Sequence, residues 1–448
     1  MDNRLQDLTA ALLAAAARAG APAADAVAVD GRAVSIDVRQ GKLEQAERAE
    51  GVEIGLRVLI GGRQACVSAS QTGAETMAEM ATRAVAMARE APEDPFAGLA
   101  DPDMIAQEWN IDALELADPA AEPAAGELQS DAQRAEAAAL AVAGVAQVQS
   151  ASASYSRRNV WFAASNGFSG GYGRTSRSVS AVAISGEGSA MERDWAAEAR
   201  TFQADLPSPD DVGLLAGQRA VERQGTRRPP TGAFPVLYDE RIASGLIGHL
   251  LGAINGAAIS RGASWLLNAL GTDVLPKGLS IIEDPFRARI SSSRPFDAEG
   301  LPTRRRAIVD NGTLTGWTLD LASARKLGMA STASASRGTS SPPSPGNSNI
   351  ALTQGSRSRE ELLREMGTGL LITSLIGSSI NPTTGDYSRG ASGFWVQNGE
   401  IVWPVNECTV AGNLREMLTR ITPANDARLH LSAVVPSLLV EGMTLAGA

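Results

Sequence analysis

Two histidines, His249 and His430, occur in 448 residues, so a zinc hydrolase site, a histidine general base or a Ser/His/Asp triad has at most two places to form. A hydrolytic zinc ion takes three protein ligands and leaves a position open for water. It is usually held by two histidines one helical turn apart, with a carboxylate nearby as base. His249 closes the run Ser244-Gly245-Leu246-Ile247-Gly248-His249, in a segment that reads as helix. One turn before it stand Gly245 and Leu246, one turn after it Gly252 and Ala253, and none of these ligates a metal. On the residues alone, His249 is a partly buried helical histidine. His430, in Ala427-Arg428-Leu429-His430-Leu431, reads as a hydrogen-bonded structural histidine in a strand or at its entrance. The two thiols, Cys66 in a strand and Cys408 near a turn, read as buried apolar groups.

Other patterns carry less. Gly167-Phe168-Ser169-Gly170-Gly171 has the spacing of a nucleophile elbow, which sets a serine on a strained strand-to-helix turn, yet the residues after it are glycine-rich and strand-like, so a hairpin is expected. There is no phosphate loop with its lysine and no dinucleotide fingerprint after a strand. Arg304-Arg305-Arg306 reads as a solvated or ion-paired strand end. The segment from Asn381 to Gly393 collects hydroxyls, a carboxylate and a guanidinium in one glycine-rich run leading into a strand. Such loops can present themselves to a ligand. Its candidate contact residues are Asn381, Thr383, Thr384, Asp386 and Arg389, with an ordinary turn as the alternative.

Composition narrows the partners. Forty basic against fifty acidic residues give a net charge of -10, which opposes binding to a phosphate backbone, and 4% aromatic residues leave few stacking platforms for single strands. Direct contact with nucleic acid is not expected. Two cysteines are too few for a disulfide framework or a four-cysteine zinc site and fit a reducing, cytoplasmic compartment. No apolar run of about 18 residues is present, so no transmembrane helix and no membrane contact are expected. Residues 8–17 are apolar enough for a signal peptide, but Asp2 and Asp7 stand where positive charge belongs. Leu5, Leu8, Leu12 and Leu13 instead form the stripe of a surface helix.

The elements that must position these residues fall into two halves. Helix, strand, strand is read first as a helix near the N-terminus with strands over 26–38 and 52–67, and again as a helix over 131–143 with strands over 147–164 and 173–185, the second pair joined at Ser165-Asn166-Gly167. An ancient duplication would explain the echo, with Glu50-Gly51 as the counterpart of that turn. A helix over 74–90 stops at Pro92 and Pro95, and residues 92–127 read as a long surface connection. A helix over 203–224 leads to Arg227-Arg228-Pro229-Pro230-Thr231-Gly232, the expected boundary between domains 1–226 and 232–448. Beyond it come a strand over 234–238, a helix over 240–258, a strand over 280–283 and a hairpin over 303–319 turning at Asp310-Asn311-Gly312. Residues 330–349 are a run of Ser, Gly and Pro that is expected not to build a packed core. Strands resume over 369–375, 393–396 and 400–403, the last two joined at Gln397-Asn398-Gly399. The fold class is α+β: an N-terminal domain of repeated helix-strand-strand units and a C-terminal strand-rich domain, barrel-like or a sandwich.

Across nearly its whole length the sequence resembles the TldD/PmbA family, in its PmbA/TldE branch, once described as modulators of DNA gyrase. The resemblance is carried by Gly51-Val52-Glu53-Ile54-Gly55-Leu56-Arg57-Val58, Gly300-Leu301-Pro302-Thr303-Arg304-Arg305-Arg306, Ala324-Arg325-Lys326-Leu327-Gly328, the run from Asn381 to Phe394, and Ala411-Gly412-Asn413-Leu414. It implies a heterodimeric metallopeptidase whose TldD-type subunit holds zinc with a His-Glu-x-x-x-His motif and a later cysteine, while the PmbA-type subunit lacks the motif. This chain has Ser244 at the first ligand position, Gly245 at the base and only His249 in place, and Cys408 lies before Ala411-Gly412-Asn413, off the family's ligand position. The resemblance therefore implies no metal, cofactor or catalytic residue in this chain. It implies a TldD-type partner carrying zinc, and a peptide or unfolded protein as substrate; strand addition to an exposed edge would explain sequence-tolerant binding. Two other functions stay open: a binding protein that modulates gyrase or a toxin-antitoxin pair, and an independent peptidase acting as a homodimer.

Overall fold

The computed structural model describes residues 3–447. Its first half is α1 (Arg4–Arg18), β1 (Ala23–Arg39), β2 (Lys42–Ile60), β3 (Arg63–Ala69), α2 (Ala74–Glu90), α3 (Ala125–Leu140), β4 (Val145–Ala164), β5 (Ser169–Ser185), β6 (Glu192–Arg200) and α4 (Pro209–Glu222). The six strands make one antiparallel sheet in the order β3-β2-β1-β4-β5-β6, with β1 and β4 paired at its centre from Asp25↔Ala164 to Val38↔Ala151. Outward from that centre the two sides repeat: a helix, three strands and a helix, twice over.

Each unit thus holds one strand more than the sequence suggested. Residues 52–67 are not one strand, because Gly61 and Gly62 both adopt positive φ and fold the run into the β2–β3 hairpin. The charge-rich β6 gave no strand signal at all. The counterpart of the turn at Gly167 is Gln40-Gly41, both at positive φ, whereas Gly51 lies inside β2 opposite Gly31. Two helices cover each end of the sheet. Leu12 and Ala16 of α1 and Ala81 and Ala84 of α2 pack on Ala28, Ile54 and Leu56, and Leu128 of α3 and Val212 of α4 pack on Ile36, Val38 and Val179.

Residues 92–124 correct the expectation of a surface connection. Ala100, Ile105, Leu114 and Leu116 are buried against Phe162, Phe168 and Tyr172 of the sheet and against Phe296, Leu301 and Leu321 of the second half. The Phe296 ring stands edge-on to those of Trp109 and Phe168, at 4.8 Å and 5.0 Å between centroids.

The second half is β7 (Gly232–Tyr238), α5 (Glu240–Ala253), α6 (Gly256–Ser260), β8 (Ile281–Glu283), β9 (Arg306–Asp310), β10 (Thr313–Leu314), α7 (Leu321–Leu327), β11 (Ala335–Ser336), β12 (Ser344–Pro345), β13 (Ile350–Leu352), α8 (Arg359–Met366), β14 (Gly369–Ile380), β15 (Asp386–Gln397), β16 (Glu400–Asn413), α9 (Leu414–Leu418), β17 (Ile421–Pro423), β18 (Ala433–Val434) and β19 (Leu438–Ala446). Strands β16-β15-β14-β7-β19 are neighbours in that order, and β19 pairs back onto β16 from Thr409↔Ala446 to Ala411↔Thr444. This closes a five-stranded barrel, so of the two expected architectures the barrel is the one present. A smaller sheet, β10-β9-β8-β13-β18, lies beside it. The expected helix over 240–258 is two helices, because the Asn255 side chain accepts from the Ala257 amide (3.0 Å) and caps a new start at α6.

The run 330–349 also departs from expectation. Ser334, Ala335 and Asn349 are fully buried, and the backbone of Thr339 presses on Gly55 so closely that a Cβ there would lie 2.1 Å from the Thr339 carbonyl oxygen. Small side chains permit that approach, and the polar groups are matched: the Thr339 hydroxyl donates to Glu53 and Arg337 pairs with Asp25. The composition lacks apolar bulk, but the segment borrows the apolar surface of the sheet it crosses. Among the described residues no helix is long and apolar enough to cross a membrane.

Candidate functional site

Helix α5 begins at Asp239, whose carboxylate accepts from the Arg241 amide (3.2 Å) and pairs with the Arg241 and Arg359 side chains. The helix buries Ala243, Leu246, Ile247 and Leu250 in the barrel core. That leaves Ser244 and His249 half-buried and Gly245 and Gly248 exposed. The His249 ring meets Tyr387 edge-on at 5.9 Å between centroids. Tyr387 and Arg389 lie two residues apart on β15 and so share a face. The fully buried Tyr238 of β7 donates to the Met443 sulfur (3.5 Å), and burial holds its phenol well above the ordinary range. Burial, and secondarily the Arg389 charge, lower the pKa of His249, so its ring is neutral at neutral pH. Arg389 has a buried Nε with no hydrogen-bond partner among the described residues.

This donor set does not fit a catalytic zinc ion. Among the described residues no three His, Cys, Asp or Glu side chains come together as a metal site, and the guanidinium beside His249 opposes a cation. Cys408 lies within β16 and not at a turn; its thiol donates to the Ala391 carbonyl (3.2 Å), and burial pushes its pKa up to about 11, the reverse of what a thiolate ligand needs.

The candidate loop is the connection between β14 and β15. Asn381 Oδ1 accepts from the amides of Thr383 (2.9 Å) and Thr384 (3.2 Å), the Thr384 hydroxyl donates to Asp386 (2.6 Å), and Asn413 Nδ2 donates to Asp386 (3.1 Å). Those two partners lower the Asp386 pKa. The Pro382 carbonyl receives the Trp265 amide (2.8 Å). The structure thus brings Asn381, Thr384 and Asp386 together in one turn, leaves the Thr383 hydroxyl without a partner among the described residues, and places Arg389 apart from them beside His249. The sequence singles out neither Tyr238 nor Tyr387 as a site residue, although Tyr387 lies within the 381–393 run. The two-residue spacing of Tyr387 and Arg389 was the available signal.

The remaining motifs resolve simply. Ser169 opens β5, and its hydroxyl accepts from Trp161 Nε1 (3.0 Å), so the elbow-like sequence is a hairpin. His430 lies in a turn just before β18, 3.4 Å from Glu198 and 3.1 Å from Arg428. Arg306 pairs with Glu283 (2.7 Å) and Arg305 with Asp284 (3.7 Å).

A repeated α+β sheet unit followed by a barrel-bearing unit is the architecture of a metallopeptidase group: residues 24–88 match PmbA/TldA metallopeptidase domain 1, 118–224 its central domain and 231–447 its C-terminal domain. The chain is 37% identical over 416 residues to Metalloprotease PmbA of Escherichia coli O157:H7, covering 92% of this chain and 90% of that one. It superposes over its whole length on all of a Bacteroides thetaiotaomicron crystal structure bearing the name of a modulator of DNA gyrase, with TM-score 0.92 and 26% identity. It shares its fold, over the full length of both chains, with TldE from Thermococcus kodakarensis (TM-score 0.84, 19% identity). The chain belongs to the PmbA/TldD family.

Proposed function

We propose that this chain is the PmbA/TldE-type subunit of a cytoplasmic two-chain zinc peptidase that degrades or processes peptides and unfolded polypeptides, with the zinc held by a TldD-type partner. The observation that supports this most directly is α5: Ser244 and Gly245 stand at the ligand and base positions of the family motif, and His249 faces Tyr387 and a guanidinium. Zinc held by the partner would supply Lewis-acid polarisation of the scissile carbonyl and an activated water. The part left to this chain is holding and orienting an extended peptide. On this reading the Asn381–Asp386 turn meets the peptide through its exposed rim, Thr383 above all, and Arg389 serves the interior of the barrel.

The test is the zinc content per chain after a mild chelator wash, followed by a peptide-cleavage assay of the chain alone and mixed with a TldD-type chain. Near-zero zinc and cleavage by the mixture only are expected. Stoichiometric zinc that disappears in His249→Ala would overturn the proposal. The metalloprotease name of the 37% identical relative favours a second reading, a chain that cleaves by itself as a homodimer, and cleavage without the TldD-type chain would decide for it.

A further inference from the structure

We propose that the pocket between the N-terminal sheet and the β11–β12 hairpin binds a small oxyanion, a phosphate or a carboxylate group on a small molecule or chain terminus. The chain carries a net charge of -10, yet this pocket of about 180 Å³ is lined by four arginines, Arg158, Arg174, Arg294 and Arg337, and by no carboxylate. That is the reverse of what the composition would supply by chance.

Two of the four are interior. Arg294 is 9% exposed and the Arg337 side chain 1% exposed. Each spends some donors on the fold and leaves one N–H without a partner among the described residues, sealed behind the pocket wall. Arg294 gives Nη1 to the Ala335 carbonyl (2.9 Å) and Nη2 to the Gly346 carbonyl (2.7 Å), and its Nε has no partner among the described residues. Arg337 gives Nη1 to Asp25 and Nε to the Gly338 carbonyl (3.3 Å), and its Nη2 has none. Buried donors in native proteins are almost always matched, and an unmatched guanidinium N–H is costly. The charge is only partly matched: Arg294 acts on the buried Asp297 carboxyl, which desolvation pushes toward its neutral form. Asp25, behind the wall, is shared between Arg337 and the buried Arg57, so that trio remains one charge positive. Arg174 is held by the carbonyls of Ser291 and Ser293 and lies over the Tyr172 ring at 4.8 Å, contacts that fix its direction without neutralising it. Arg158 stands exposed at the mouth with no ion pair among the described residues.

Guanidinium forks match the oxygens of carboxylate and phosphate, and the surplus of positive charge opposes a metal cation. Val27, Val160 and Phe162 supply an apolar wall, and the volume, roughly that of six waters, leaves room for a few carbon atoms beside the anionic group. None of these residues belongs to α5, and the pocket would serve its anion whether or not a zinc-bearing partner exists.

The test is calorimetric titration and thermal unfolding of the full chain with inorganic phosphate and, separately, N-acetyl-leucinate, each against sodium chloride at matched ionic strength. Saturable binding with a rise in unfolding temperature is expected, and the tighter of the two probes identifies the source of the anion. Arg158→Glu, at the mouth and outside the packing, should weaken binding about tenfold or more without lowering the unliganded unfolding temperature. Arg294→Met should weaken it further, and if that variant does not fold, Arg158→Glu decides alone. No saturable response beyond that of chloride overturns the proposal, as does binding by Arg158→Glu as tight as the parent's.

Discussion

His249 and Glu299 are two groups whose charged forms the fold resists, and they make stability depend on pH in opposite directions. The folded pKa of His249 lies below its ordinary 6.5, so between those two values the unfolded chain binds a proton that the native chain does not. Its contribution is complete above 6.5 and is lost as the pH falls toward the folded value. His249→Gln should therefore show a shallower loss of urea midpoint on acidification than the parent. An equal slope in the two proteins would remove the role given to burial and Arg389. Glu299 is half-buried, with its Oε2 accepting from the Leu321 amide (2.8 Å), and desolvation followed by the Asp297 charge raises its pKa well above 4.5. Here the native state keeps a proton that the unfolded state releases, so stability falls as the pH rises from about 4.5 through the folded value. Glu299→Gln should gain in melting temperature over the parent with rising pH across that window, and a pH-independent difference would contradict the assignment.

At the scale of elements, the contact of β2 with the segment between β11 and β12 is the most exacting. A methyl group at Gly55 would lie 2.1 Å from a backbone oxygen of Thr339, an atom that cannot swing aside. Gly55→Ala should cost about 1–3 kcal/mol in chemical denaturation and should expose the bond after Arg337 to trypsin. A variant as protease-resistant as the parent would mean that the two backbones can separate freely. This contact was invisible in the sequence because a Ser/Gly/Pro run signals loop by composition, and only the surface across from it decides whether it is buried. The elements that were legible carried their own punctuation. Helix α2 has the expected bounds, stopped just ahead of Pro92, and the turns at Asn311-Gly312 and Asn398-Gly399 have the positive φ that their residues suggested. Residues 52–67 misled because Gly61-Gly62 sits inside an unbroken strand-like texture, and α5 ran on past its end because Asn255 as a cap looks like any helix residue. In the candidate site, the motif positions Ser244, Gly245 and His249 could be read directly. The neighbours of His249 could not, since Tyr387 and Arg389 come to α5 from a strand well over a hundred residues further along the chain.

For the whole molecule, the rings around Phe296 hold the two halves together. Phe296 is 1% exposed and touches Trp109, Phe168 and Tyr172 of the first half. Phe296→Ala should cost about 3–5 kcal/mol and should split or broaden a single calorimetric transition, whereas a uniform downward shift of one sharp transition would show that the halves are coupled elsewhere. The closed barrel carries a further consequence, for how the chain is made. Strand β7 pairs with β14 on one side and β19 on the other, and these leave the ribosome roughly 130 and 200 residues after it. At typical elongation rates of about 5–20 residues per second, β7 spends on the order of ten seconds or more as an apolar strand with both edges bare, while the six-stranded sheet before it is already free to fold. The nascent chain is therefore a finished first half trailing a sticky, partnerless strand, and it is at this stage of synthesis that a chaperone has most to do.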